Sequence, residues 1–463
     1  MRDAHGVVFA RGGLPGERVE IEVRRAQKGV RHGVVLRVLE ASPDRVTPDC
    51  ALHPRCGGCD LLDLAPAAAL AVRSGIVREA LVRVGKIERD VVERALRPIR
   101  APGPGDDARR RRVRVVIAAG RPTFSAPESH ARVAVERCPA LHPALDAALA
   151  RLAGVALPDG TEVRLACDDG ARVSAALTLA PTGEGAPDDA AGRARALVDA
   201  RIAHGVLVLR RPRDGEGRDD EPVRRGLGPR ARGRPGGNRA HNRVREHDDD
   251  DGDDDDVIAR AGDAELVGEI GAGRFGALAS DAGVFTQASR FGGGAILDEV
   301  RRATRADDDA RPTRADDSPP APRVVLELFA GAGHLTVPLL SAGARVIAVE
   351  GAARAVQFLE RNVRTFASAS VHRAFIGGAL ALPEMNERID VLVADPPRTG
   401  IPGFDALLSR VNAPTLVLVS CDPATGARDI AIARKHGYAL ESVVPIDAFP
   451  RTSHVEWVAR MTR

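Results

Sequence analysis

Cys421 ends the run Leu416-Val417-Leu418-Val419-Ser420 and is followed by Asp422-Pro423. Apolar, β-branched residues of this kind read as a buried strand that delivers one thiol to its carboxyl end, the edge of an open α/β sheet where ligands bind. A cysteine there can also simply fill space as a small hydrophobe, so its chemistry depends on what stands beside it. Asp395-Pro396-Pro397-Arg398 also follows an apolar strand, and its prolines stiffen the turn that holds the carboxylate. A plain strand-ending turn would read the same way. A thiol and a carboxylate on neighbouring strand ends of one crevice would make a nucleophile and a base. A third strand, Val324 to Phe329, runs into Ala330-Gly331-Ala332-Gly333-His334 and then a helix. Glycines there permit a cofactor to approach the backbone at the helix N-terminus. Glu350 ends the next strand, seventeen positions after Gly333, about where an acid receives a ribose diol. Strand, turn and acid together favour a nucleoside cofactor, and without a Gly-Lys-Ser/Thr phosphate loop the pattern speaks against an NTPase.

The six cysteines are Cys50, Cys56, Cys59, Cys138, Cys167 and Cys421. In a cytosolic chain of this size clustered cysteines point to metal or catalysis rather than disulfides. Cys50, Cys56, Cys59 and Cys138 are separated by six, three and seventy-nine positions. Glycines between Cys56 and Cys59 let the backbone turn tightly enough for both thiolates to face one ion or cluster. Four thiolates suit zinc or an iron-sulfur cluster, and spacing alone does not choose. A Cys-x-x-Cys redox pair would leave Cys50 and Cys138 unexplained. Cys167 has no motif around it and reads as structural.

At 463 residues the chain is long enough for two or three domains. The 44% hydrophobic content is ordinary for a soluble globular protein. No apolar run reaches membrane-spanning length, and Met1-Arg2-Asp3-Ala4-His5 lacks a signal-peptide core, so a cytoplasmic protein that binds no membrane is expected. A net charge of +3 says little about partners, but the basic cluster Arg109-Arg110-Arg111-Arg112-Val113-Arg114 could line one strand face for phosphates. A solvated edge strand is equally consistent.

Along the chain, Gly6–Ala10, Val19–Val23 and Gly33–Leu39 alternate apolar and polar residues, as in a small β-barrel of the kind that often binds nucleic acid. Helices are expected at 60–84, 141–154 and 189–203. Strands are expected at Val113–Ala119, from Val133, and at Glu162–Leu165, Arg172–Leu179 and Gly205–Leu209; together these make a central α+β region. Residues 211–256 lack hydrophobic periodicity and read as a disordered insertion, and 303–322 as a second such tract. From Val324 strands alternate with helices: strands at Val324–Phe329, Val346–Val349, Asp390–Ala394, Thr415–Ser420 and Val455–Met461, and helices at Leu335–Ala342, Ala352–Thr365, Gly403–Ser409 and Ala424–His436. That alternation predicts a doubly wound, largely parallel sheet.

Taken together, the four cysteines, Glu327-Leu328-Phe329-Ala330-Gly331-Ala332-Gly333, Asp395-Pro396-Pro397-Arg398, Ser420-Cys421-Asp422-Pro423 and His454-Val455-Glu456 resemble the RNA (uracil-5)-methyltransferase family. Leu14-Pro15-Gly16-Glu17 and Ser42-Pro43-Asp44-Arg45-Val46 are similar to that family's TRAM domain. The resemblance implies three domains: a TRAM/OB-like β-barrel over 1–47, a central α+β iron-sulfur domain over 48–283, and a Rossmann-like methyltransferase domain over 284–463. It implies S-adenosylmethionine bound by Gln287, Phe329, Glu350 and Asp395, with Cys421 as nucleophile and Glu456 as base. It also implies a [4Fe-4S] cluster on Cys50, Cys56, Cys59 and Cys138, with zinc as the alternative, and structured RNA as substrate. Ribosomal RNA is favoured over transfer RNA, and no obligate protein partner is evident. Three departures stand out. Phe329-Ala330-Gly331-Ala332-Gly333 replaces Tyr-Cys-Gly-Asn-Gly, Phe285-Thr286-Gln287-Ala288-Ser289 replaces Phe-Phe-Gln-Val-Asn, and the barrel is expected to lack an early strand.

Overall fold

The computed structural model describes residues 2–3, 6–27, 29–179, 189–210, 256–304 and 323–463. The tracts expected at 211–256 and 303–322 therefore lie, but for their outermost residues, outside the described residues. Strands β1 (Arg2–Asp3), β2 (Gly6–Arg11), β3 (Arg18–Gln27) and β4 (Val30–Glu40) form one sheet in the order β1-β2-β4-β3, with β2 and β4 parallel. The described pairing leaves β1 and β3 as its two edges. Glu17 ties the end of this sheet to the next segment: its carboxylate pairs with Arg45, which holds it down at about 2.

Two helices follow, α1 (Pro66–Arg83) and α2 (Arg89–Ala95). Then come β5 (Arg112–Ala118), β6 (Arg121–Ser125), β7 (Arg132–Ala134), α3 (Pro143–Leu152), β8 (Glu162–Cys167), β9 (Val173–Thr178), α4 (Ala190–Asp199), β10 (Gly205–Arg210) and β11 (Asp256–Gly262). The seven strands make a sheet in the order β11-β10-β9-β8-β5-β6-β7, antiparallel except for β9 with β10. Leu145, Leu149 and Leu152 of α3 and Ala194 and Leu197 of α4 share its core with Val163, Leu165 and Leu177. Cys167 is buried in that core, its thiol pushed up to about 12 by burial, which fits the packing role expected for it.

Past a hairpin of β12 (Leu266–Glu269) and β13 (Ala277–Ser280) lies helix α5 (Arg290–Thr304). The last sheet contains β14 (Val324–Leu328), β15 (Arg345–Glu350), β16 (Ala369–Arg373), β17 (Val391–Ala394), β18 (Thr415–Ser420), β19 (Ala439–Ile446) and β20 (Glu456–Thr462). Helices α6 (Thr336–Ser341), α7 (Ala353–Val363), α8 (Ile376–Ala379), α9 (Phe404–Arg410) and α10 (Pro423–Lys435) connect them. The order is β16-β15-β14-β17-β18-β20-β19, with β14 to β18 parallel and β20 antiparallel to both neighbours. This is the largely parallel, doubly wound sheet expected from the strand-helix alternation.

Both faces of the sheet are covered, which is why its central strands read as continuous apolar runs. Leu326, Leu328, Leu392, Leu416 and Leu418 point to one face, against α9, α10 and also α1 and α2. Val325, Val346, Val393 and Val417 point to the other, against α5, α6 and α7. Each of the buried leucines contributes about 1.5–3 kcal/mol by burial, so the sheet holds its strand ends on a well-packed platform. Helices α1 and α2 thus come from the segment before the central sheet yet pack on the C-terminal one, and Leu96 and Arg100 bridge to Val443 and Ile446 of β19. Among the described residues no helix is long and apolar enough to cross a membrane.

Candidate active site

Order reverses between β14 and β17: β15 and β16 extend to one side of β14, and β17 and β18 to the other. Such a switch point opens a crevice at the carboxyl ends of the strands. Leu328 is paired with both Val349 and Ala394, so the residues that follow, Phe329, Glu350 and Asp395, emerge side by side. Phe329 turns the chain in the left-handed region with φ +59°, and Gly331 continues the turn at φ +56°. Holding phenylalanine there costs on the order of 1 kcal/mol or more. Glu350 offsets that cost by gripping the turn: one carboxylate oxygen accepts the Gly331 N–H at 2.8 Å and the other accepts the Ala352 N–H at 2.8 Å. Gln287, in the loop before α5, donates its amide to Asp395 at 3.3 Å. All four residues expected around a cofactor are therefore gathered at one turn.

The crevice is acidic and desolvated. Burial pushes Asp395 up to about 7, against the pull of the Gln287 hydrogen bond. Burial also pushes Glu327, on β14 below the turn, up to about 8, with the Asp395 and Glu350 carboxylates adding to it. One oxygen of Glu327 finds no hydrogen-bond partner among the described residues. His334 is lowered by burial, and its Nε2 lies 3.1 Å from the Gly293 carbonyl, so the neutral ring carries its proton on Nε2 and donates it. A cation on a nucleoside, such as a sulfonium, complements this set of acids. The residues fit S-adenosylmethionine in kind and in placement.

Beside the crevice, Ser420 of β18 pairs with Trp457 of antiparallel β20. This is the last pair of the ladder; Cys421 follows Ser420 just past the end of β18, and Glu456 precedes Trp457 as the first residue of β20, so both lie at the same end of the pair. Glu456 is buried and Cys421 partly exposed. Asp422 caps α10 by accepting the Thr425 N–H at 2.7 Å, with Pro423 in the helix's first turn. Gly426 lets the helix approach: a Cβ there would meet the Trp457 ring at 2.3 Å and the Ser420 hydroxyl at 2.6 Å.

Cys50, Cys56, Cys59 and Cys138 come together from two loops. Ionisation of one would be felt by the others: Cys50 by Cys56, Cys138 by Cys59, and both Cys50 and Cys56 by Cys138. Burial raises Cys56, Cys138 and Cys59, the last to about 11, while the Arg110 guanidinium draws all three down. Desolvated thiols of this kind are ionised by a bound metal, so a metal or cluster suits their chemistry, but their side chains do not converge as one ligand set. Among the described residues no three His, Cys, Asp or Glu side chains are gathered as ligands of one ion.

Three of the five arginines of the basic run are engaged within the protein. Arg111 pairs with Asp107 and Asp169, Arg112 donates to the Val284 carbonyl and lies over Phe285, and Arg114 pairs with Glu162. Sequence reasoning gave no role to Glu327, His334 or Arg451. Glu327 is a lone acid in an apolar strand, and that was the available signal; nothing in the sequence ties Arg451 to Asp49.

A family model described as "Conserved hypothetical protein 95" matches residues 319–411, the stretch from β14 to α9. The chain is 30% identical to the 23S rRNA (uracil(1939)-C(5))-methyltransferase RlmD of Halomonas elongata over 98% of its own length and 85% of the relative's. The chain belongs to the RNA (uracil-5)-methyltransferase family. The enzyme of the same name from Chromohalobacter salexigens is also 30% identical, over 100% of this chain and 86% of that one. The Pyrococcus abyssi tRNA (uracil-54, C5)-methyltransferase in complex with S-adenosyl-L-homocysteine shares the fold, with a TM-score of 0.62 at 18% identity, covering 99% of this chain and 96% of that chain. Membership accounts for the crevice at the switch point and for the methyl-donor chemistry read from it.

Proposed function

We propose that this methyltransferase moves a methyl group from S-adenosylmethionine to C5 of a uridine in 23S rRNA, with Cys421 as nucleophile and Glu456 as base. The observation that supports the reading is the β18–β20 register, whose last pair, Ser420 with Trp457, is adjoined by Cys421 on one chain segment and Glu456 on the other, beside the acidic crevice. Uracil C5 is a poor nucleophile until the Cys421 thiolate adds to C6 and places enolate character on C5. C5 then takes the methyl from the sulfonium, leaving S-adenosylhomocysteine. Glu456 accepts the C5 proton, the C5–C6 double bond reforms, and the thiolate departs. Gln287, Phe329, Glu350 and Asp395 hold the donor, and the target base must leave its stack to reach the thiol.

Residues 1–47 serve in this reading as a TRAM-like RNA-binding module, 48–283 as the cysteine-bearing domain and 284–463 as the catalytic domain. Phe9, exposed and stacked on His32 with ring centroids 5.3 Å apart, supports an RNA-facing role for the first of these. Cys50, Cys56, Cys59 and Cys138 would hold a [4Fe-4S] cluster, which when bound supplies a rigid cross-link, since methyl transfer requires no electron. Iron and sulfide analysis after anaerobic purification separates it from zinc.

The test is incubation with methyl-labelled S-adenosylmethionine and unmodified 23S rRNA or tRNA, followed by mapping of 5-methyluridine. Label at one uridine of the ribosomal RNA is expected; label confined to tRNA would reassign the substrate, and none in either would overturn the reading.

A further inference from the structure

The loop 447–455 joins β19 to β20 and delivers Glu456 as the first residue of β20. Its start is tied to Arg100, whose carbonyl accepts the Asp447 N–H, and to Ser289, which donates to the Ala448 carbonyl; the ties of its second half run to the segment that carries three of the four cysteines and the helix after it. Arg451 makes a bidentate pair with Asp49, at 2.7 and 2.6 Å. The Arg451 carbonyl accepts the Leu61 N–H at 3.0 Å. Ser453 donates both its N–H and its hydroxyl to Asp60. Arg73 of α1 is buried; it donates to the Thr452 carbonyl at 2.8 Å and faces Asp447 at 3.4 Å. Arg110 lies over the Phe449 ring. Arg451 itself has φ +81°, a region costly for any residue but glycine, so surrounding contacts must over-determine its position.

We propose that Asp49 and Asp60, acting through Arg451 and Ser453, are positioning residues that aim Glu456 at the C5 proton of the methylated adduct. The inference rests on the reading of Cys421 and Glu456 given above. Asp49 and Asp60 bond to Arg451 and Ser453, whereas the Gln287, Glu350 and Asp395 side chains bond to one another or to the Gly331 turn. Loosening this clamp therefore leaves thiolate addition and methyl transfer intact. It slows the step in which the C5 proton passes to the Glu456 carboxylate, the C5–C6 double bond reforms and the Cys421 thiolate is expelled.

The test compares wild type, D49A/D60A, R451G, E456Q and C421A. Single-turnover methyl transfer, steady-state turnover and RNA-protein adduct on denaturing gels are measured, alongside thermal unfolding and iron content. R451G is chosen because glycine accepts the same backbone conformation while losing the guanidinium, and because it lies far in sequence from the cysteines; it carries the test if D49A/D60A loses iron or unfolds. Expected is a fall in turnover of about 10- to 100-fold, with methylated adduct accumulating as in E456Q and single-turnover transfer near that of wild type. R451G behaving as wild type, or equal loss of transfer and turnover without adduct, would overturn the proposal. An E456Q variant that forms no adduct overturns instead the underlying mechanism, with C421A as the blank.

Discussion

The carboxyl edge of the C-terminal sheet and the four-cysteine segment both gather side chains from distant parts of the chain, by different means. At the edge, Phe329, Asp395 and Cys421 each follow directly on a strand, and Glu350 ends one, and the register of these strands with their neighbours is fixed by ladder bonds and two buried faces. In the cysteine segment no regular element carries Cys50, Cys56 or Cys59, and placement comes from side chains: Asp49 on Arg451, Asp60 on Ser453, and Asp146 accepting the Cys138 N–H at 2.7 Å. Removing a side chain at the sheet edge should therefore change chemistry locally. Removing one near the cysteines should loosen structure at a distance.

The comparison breaks most visibly at Cys421. Cys421→Ala is expected to cut methyl incorporation by at least about 10³-fold with little change in thermal unfolding; a large loss of stability would mean that the strand end is not the independent platform described. Glu350→Ala leaves the Gly331 and Ala352 N–H groups without their acceptor, at about 1–3 kcal/mol each, so calorimetry should show S-adenosylmethionine affinity falling by about 10- to 100-fold.

A subtler effect comes from Asp395. Its folded value of about 7 lies above the ordinary carboxylate value of 3.8, so the folded protein keeps a proton that the unfolded chain has already released. Stability from this source is present below about pH 4 and is lost as pH rises toward 7. A cationic sulfonium favours the ionised carboxylate and a neutral thioether does not. The preference for S-adenosylmethionine over S-adenosylhomocysteine should therefore rise by about three- to tenfold between pH 6 and 8. Asp395→Asn should flatten that rise, and an unchanged slope would remove Asp395 from the donor's surroundings. The smallest effect is expected in the cysteine region: Asp146→Ala should lower the unfolding midpoint by about 2–4 °C and reduce retained iron, with Cys421 chemistry preserved in the fraction that keeps it.

What could be read from the sequence follows the same divide. Strands β14, β15, β17, β18 and β20 announce themselves as apolar runs because both their faces are buried. β16 holds one large apolar residue, Val371, and lies at the sheet's edge, while β19 contains Glu441, Ser442 and Pro445 and is bulged near Leu440; neither has the periodicity that marks a strand. Helix α5 is hidden by Gly292-Gly293-Gly294, poor helix formers. Packing accounts for two of them: a Cβ on Gly292 would meet Ala448 at 2.8 Å, and one on Gly293 would meet Gln287 at 3.1 Å. The catalytic candidates were legible because they sit at strand ends in family motifs. The ties that hold the Glu456 loop were not, because Asp49 and Arg451 lie 402 positions apart and neither belongs to a periodic element.

The packing of α1 and α2 on the C-terminal sheet has a consequence for synthesis of the chain. Val77, Leu81, Val92 and Ala95 leave the ribosome more than two hundred residues before β14, and their apolar faces stay without their native cover until the last strands follow. Contacts of such sequence separation close slowly, and the waiting surface is a site for misassembly or chaperone capture. A fragment beginning at residue 284 would meet the converse problem, carrying the whole catalytic edge but leaving one flank of its sheet open to water.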